Sequence, residues 1–344
     1  MVLELQRRLF ALAGLLVLID LVWWPLGHFQ VDAPAYARLA LMSLALLAGG
    51  IFYQTRRREP ELAAMLMGAS FLCLFSAAAS VLNYFLITVA GTRHIDDILV
   101  ATDRALGFDW YAAMVWMSHH VWLNEIFFRI YNVVLPEIAL VMVALAWTGQ
   151  AEKVYRYCLA VAAGALIAIA VWTLAPSLGA KSLYTLPPDV AGRLTLSVTC
   201  QYGRELIALL KNGPGFITPA DMRGLIAFPS YHGVLALIVA WYGWQVRWLR
   251  WPLLLLNAAI VIASPIQGGH HMIDLLGSFP VAALALFAAG EWRGAQLRVK
   301  PSGVVKKRSL FAPSPIPKGL FRITAAQKRA ETRSSIKSKL SGVS

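Results

Sequence analysis

Eight apolar runs separated by polar or charged stretches constrain this 344-residue chain more than any other feature. They lie near residues 9–27, 38–55, 62–91, 128–148, 155–175, 230–247, 251–267 and 271–290. Each is about long enough to cross a hydrocarbon core of ~30 Å once tilt and end fraying are allowed. A chain that is 58% hydrophobic and only 14% charged also lies outside the soluble globular norm. The expected fold is therefore all-α, a polytopic integral membrane bundle of about eight transmembrane helices. Residues 1–61 supply two N-terminal helices, 62–290 a membrane domain built from the last six, and 291–344 a tail.

Charge placement orients the bundle. The first run follows Arg7 and Arg8, as a secretory signal would. Asp20 interrupts it, Trp23-Trp24-Pro25 closes it and no small-x-small cleavage site is present, so it reads as an uncleaved anchor with an interfacial aromatic end. With the N-terminus inside, Arg56, Arg57 and Arg58, Lys153 with Arg156, Arg247 with Arg250 and the tail all fall on the cytoplasmic side, as the positive-inside rule requires. The expected location is a bacterial inner (cell) membrane, with residues 229–232 and 268–274 on the extracytoplasmic side and a cytoplasmic C-terminus.

The formal charge of +13 comes mostly from residues 291–344, where Lys306, Lys307, Arg308, Lys318 and Arg322 are mixed with Pro, Ser and Gly. Such a segment lacks the apolar content to fold alone and reads as a disordered cytoplasmic tail held near anionic lipid headgroups, with no nucleic-acid partner. Cys73, Cys158 and Cys200 are too few and too scattered for a disulfide framework or a metal site. With no Gly-rich nucleotide loop and no zinc spacing, no cofactor is expected.

Chemistry concentrates at two membrane boundaries. Pro229-Ser230-Tyr231-His232 opens the sixth run, and Gly268-Gly269-His270-His271-Met272-Ile273-Asp274 opens the eighth. A histidine alone at a boundary is commonly a polar anchor. Here Asp274 lies four residues after His270, on the same helical face, and a second histidine stands at a neighbouring boundary. A neutral imidazole suits attack on an anionic phosphoester. Asp274 can hold one ring nitrogen of His270 and leave the other as a lone pair. His232 can then act as general acid and base, and Ser230, at a helix start, can cap the helix and help cradle phosphate.

These motifs resemble the type 2 phosphatidic acid phosphatase superfamily, over roughly residues 62–290, and within it a divergent branch of inositol phosphorylceramide synthase-like phosphotransferases. Classical members have Lys-x6-Arg-Pro, then Pro-Ser-Gly-His, then Ser-Arg-x5-His-x-x-x-Asp. This chain has Tyr231 in the Gly position of the second motif, Ala263 and Ser264 in the Ser-Arg positions of the third, and no Lys-x6-Arg-Pro. The resemblance implies a phosphatase-like core, a catalytic set of His232, His270 and Asp274, and a lipid phosphatase or phosphotransferase working through a phosphohistidine on a phospholipid or lipid phosphate.

The missing basic clamp has to come from elsewhere. Arg223, six residues before Pro229, is the first candidate, with Ser230, Tyr231 and Gly269 completing the substrate-binding set. Lys181, Arg193, Arg204, Lys211 and Arg129 read as solvated or headgroup-facing charges. His271 points about 100° from His270 on a helix and is secondary. Residues 92–127 are too polar to span and are placed as an interfacial roof over the site, and 176–229 as an insert that shapes an acceptor pocket. The alternative is a non-catalytic lipid-handling or transporter-like protein with a degenerate site, against which stands the lack of repeated halves.

Overall fold

The computed structural model describes residues 1–27, 29–91, 94–220 and 224–291. The tail expected to bind lipid headgroups lies outside these described residues. Fourteen helices run in order: α1 (Val2–Trp23), α2 (Ala33–Phe52), α3 (Pro60–Ala90), α4 (Asp96–Ala105), α5 (Trp110–Ser118), α6 (Val121–Asn132), α7 (Val134–Trp147), α8 (Ala151–Leu174), α9 (Ala180–Leu183), α10 (Pro188–Ala191), α11 (Cys200–Asn212), α12 (Tyr231–Gly243), α13 (Arg250–Gln267) and α14 (Met272–Ala288). Two short strands, β1 (Gln30–Val31) and β2 (Phe216–Ile217), pair in parallel.

The chain is an all-α, multi-pass membrane bundle. Among the described residues, five helices are long and apolar enough to cross a membrane: α1 and α2 with their terminal turns, α3, α8 and α13. The expected fourth span is a bent pair, α6 and α7, with 46° between them. Its cause is in the sequence: Pro136 has no N–H for the carbonyl of Asn132, and its ring crowds that carbonyl, so the helix breaks at Val133. α12 and α14 are apolar but shorter, at 13 and 17 residues, because each starts at a polar cap rather than inside the apolar run.

α3 is the central post. α1 and α2 lie against one side of it, α7 and α8 against the other, and α8 carries the packing on to α12 and α14. On α8 the buried residues Val154, Cys158, Val161, Ala165 and Ile169 recur at helical spacing, and its many alanines let the neighbours approach closely. Between α2 and α3, Ser43 and Ser70 each donate a hydroxyl to the other's backbone carbonyl at 2.9 and 2.7 Å, satisfying polar groups that lipid would not. The short helices α4, α5 and α9 to α11 gather at one end of the bundle, where α12 and α14 begin.

Candidate active site

Ser230 caps α12, its Oγ accepting the Gly233 N–H at 3.3 Å, so His232 stands in the first turn of that helix. α14 begins beside it. The Ser230 N–H donates to the Asp274 carbonyl at 3.0 Å, and the Ser278 hydroxyl donates to the Ser230 carbonyl at 2.8 Å. These bonds fix the two helix starts in register. His270 precedes α14 and lies between them: its Nδ1 is 3.2 Å from Asp274 Oδ2 and its Nε2 is 3.2 Å from Ser230 Oγ. Asp274 Oδ2 also accepts the His271 N–H at 2.9 Å, which holds the carboxylate in place. Burial raises Asp274 to about 8, with His271 and Lys181 opposing the shift; in its ionised form the carboxylate accepts only, which puts the proton on Nδ1 and leaves the lone pair on Nε2. Burial, with the charge of Lys181, pushes His270 down to about 3, so its ring is neutral at physiological pH.

The cation in this site is Lys181, at the start of α9. It is 5% exposed, its Nζ donates to the Gly268 carbonyl at 3.1 Å, and it lies 5.1 Å from the centre of the Tyr202 ring. Two left-handed glycines bring it there. Gly179 has φ +81° and a Cβ on it would stand 2.9 Å from the Gly269 carbonyl oxygen; Gly269 has φ +63° and a Cβ on it would meet the Lys181 side chain at 2.5 Å. Burial lowers the Lys181 ammonium to about 8, with the nearby Asp274 and Asp96 opposing the shift.

His232, His270 and Lys181 line one cavity of about 560 Å³. The His232 ring stacks on Tyr131, with centroids 4.4 Å apart and planes 14° from parallel. Phe75, Ala79, Ala165 and Ile169 from α3 and α8 give it apolar lining, and Ser76, Ser80 and Asn83 of α3 with Asn132, Ser197 and Thr199 offer neutral hydrogen-bonding groups. No carboxylate lines it among the described residues.

Behind the cavity, α4 acts as a brace. Asp96 accepts the Leu178 and Gly179 N–H groups at 2.9–3.0 Å, fixing the turn before Lys181. Asp103 accepts the Met272 and Ile273 N–H groups at 3.1 Å, capping α14. His271 lies between these carboxylates, Nδ1 3.0 Å from Asp103 and Nε2 3.7 Å from Asp96. Burial would lower its pKa, but Asp96, Asp274 and Asp103 outweigh that and raise it. Burial would likewise raise Asp96; His271, the two backbone N–H groups and His94 lower it. The result is a histidine held between two carboxylates that links two loops distant in sequence.

Of the residues expected from sequence, His232, His270 and Tyr231 line the cavity, and Ser230 and Asp274 are buried directly behind it. Gly269 shapes the loop while Gly268 forms the wall. Arg223 lies outside the described residues. Lys181, read as a solvated charge, is instead buried at the site. Arg129 pairs with Glu125 at 2.9 Å on an exposed surface. Residues 92–127 do not roof the cavity, since none of those described lines it; their buried acids support it from behind. The 176–229 insert does contribute to the wall, through Lys181, Ser197, Thr199 and Tyr202.

A multi-pass helical membrane protein that seats two histidines and a lysine around one cavity, with a carboxylate buried behind one histidine, defines a class suited to phosphoryl chemistry. The chain belongs to the PAP2 superfamily, whose sequence profile matches residues 97–288. Members of that superfamily are generally phosphatases or phosphotransferases. The match starts within α4 and leaves out α3, although α3 supplies one cavity wall. Comparison with curated proteins and with solved structures returned no match.

Proposed function

We propose that this protein is a membrane-embedded lipid phosphotransferase or phosphatase that acts on a phospholipid or lipid phosphate at the extracytoplasmic face through a phosphohistidine. The observation that carries the proposal is the His270 ring, held by Asp274 on Nδ1 and presenting a neutral Nε2 beside a cavity shared with His232 and Lys181. In the first half-reaction Nε2 attacks phosphorus, the N–P bond forms and the bond to the leaving oxygen breaks. Burial, His270 and Lys181 hold the free His232 ring neutral, so it relays to that oxygen a proton taken up with the anionic substrate. In the second, His232 takes the proton of the acceptor hydroxyl, whose oxygen displaces Nε2. Lys181 supplies the positive charge that the absent Lys-x6-Arg-Pro and Ser-Arg would have supplied, and the Ser230 hydroxyl turns from Nε2 to a phosphate oxygen.

The neutral hydroxyl and amide wall supports an alcohol over bulk water as acceptor, in keeping with the resemblance to the inositol phosphorylceramide synthase-like branch. Purified protein incubated with labelled phospholipids and lipid phosphates, with and without polyols or lipid alcohols, tests this. A new labelled phosphoester formed at the expense of free phosphate is expected. Free phosphate as the sole product across a broad acceptor panel would make the protein a lipid phosphatase, and no turnover of any lipid would refute the enzymatic reading.

A further inference from the structure

A second cavity lies on the opposite side of α3 from the histidines. Its volume is about 280 Å³, and α1, α2 and α3 form its walls. Ala37 and Ala40 of α2 and Ala77 and Ala78 of α3 leave the space open. α1 and α2 each pack on α3 but hardly on one another, and Leu21 and Ala37 at the rim are exposed, so the slot opens sideways to the surrounding lipid.

Two polar groups break this apolar lining. Asp20 is 9% exposed, and both its Oδ1 and the Tyr36 hydroxyl are buried without a hydrogen-bond partner. An ionisable side chain in a membrane helix with an unmet acceptor marks a place where something else supplies the donor. Depth narrows the choice. Asp20 is one turn before Trp23 and Trp24, whose amphipathic rings favour the membrane interface. The pairing of β1, which follows α1, with β2 puts this end of α1 at the end of the bundle where α12 begins. At that depth a phosphatidylcholine presents only ester and phosphate oxygens, which accept and would meet a protonated Asp20 but leave its carboxylate form without a donor. A lipid alcohol presents a hydroxyl donor there and an apolar chain for the alanine-lined slot.

We infer that the slot between α1, α2 and α3 is a binding site for a lipid alcohol, whose free hydroxyl donates to Asp20 Oδ1. The site is separate from the phosphoryl-transfer cavity and does not rest on the chemistry proposed for it. The test uses the full chain in phosphatidylcholine nanodiscs with a photoactivatable diacylglycerol, compared with the same probe as its O-methyl ether, and adducts mapped by mass spectrometry. The free-hydroxyl probe should label peptides of α1 to α3 about tenfold more than the ether, the discrimination expected when a buried acceptor is left unmet. Asp20→Asn keeps an acceptor oxygen and should retain labelling. Asp20→Leu removes it, Ala40→Phe fills the slot, and both should lose labelling. His270→Ala should label like the wild type, which separates this site from catalysis. Equal labelling of the wild type by the two probes would overturn the inference, and so would labelling unaffected by Ala40→Phe.

Discussion

At the scale of single residues the account turns on three side chains with different demands. His270 must be neutral to attack, and burial ensures that; Lys181 must be charged to attract phosphate, and its pKa near 8 makes that charge conditional. The ammonium is present below that value and is lost as pH rises through it. Asp274, which burial raises to about 8, has to ionise over the same range, so the profile of kcat/KM against pH, which reports the free enzyme, should rise as Asp274 ionises and fall as Lys181 loses its proton above about pH 8. Lys181→Arg should remove that limb, because a guanidinium stays charged, while Lys181→Ala should lower kcat/KM by roughly 10² to 10³ at neutral pH. An unchanged alkaline limb in both variants would assign it to another group. His232→Ala should slow turnover by roughly 10² to 10⁴, the range for loss of a general acid, in a steady-state assay with labelled lipid. His232, His270, Asp274 and Ser230 were legible in the sequence because their spacing on helix starts is local. Lys181 was not, since its place is set by Gly179 meeting Gly269 ninety positions further along the chain.

At the scale of elements, α4 shows how a short amphipathic helix outside the spans can govern the site. Its two buried acids, Asp96 and Asp103, are seven residues apart, hence on one face, and that face meets the turn before Lys181 and the cap of α14 together. Asp103→Ala would leave the buried His271 ring without its Nδ1 partner and two helix N–H groups unmet. It should destabilise the detergent-solubilised protein by about 3 kcal/mol or more, the usual cost of breaking a buried ion pair. A thermal unfolding midpoint equal to that of the wild type would show that α4 is not the brace described. The sequence marked residues 92–127 as interfacial from their polarity, yet polarity does not reveal which way buried carboxylates face, so the roof became a brace. The α6–α7 bend was written in Pro136, but a run of apolar residues on both sides hides such a break from hydropathy alone.

For the whole molecule, the bundle was legible because a bilayer tolerates few solutions: apolar runs of this length fold as helices whose backbones satisfy themselves. The proposed sidedness rests on Lys and Arg placement and has a direct test. In a cysteine-free background, Arg193→Cys in the exposed part of the 176–229 insert should react with an impermeant thiol reagent in intact cells, and Arg57→Cys in the turn after α2 should not. The reverse pattern would put the site on the cytoplasmic face. The catalytic claim has its own decisive measurement. Ser230, His270 and Asp274 also stand in the order of a serine nucleophile, its base and an orienting acid, so the covalent intermediate distinguishes the roles. Turnover of labelled lipid, quenched in alkali and mapped by mass spectrometry, should place an acid-labile phosphoryl group on Nε2 of His270, absent in His270→Ala and present in Ser230→Ala. An acid-stable phosphoserine at Ser230, or undiminished turnover in His270→Ala, would contradict it.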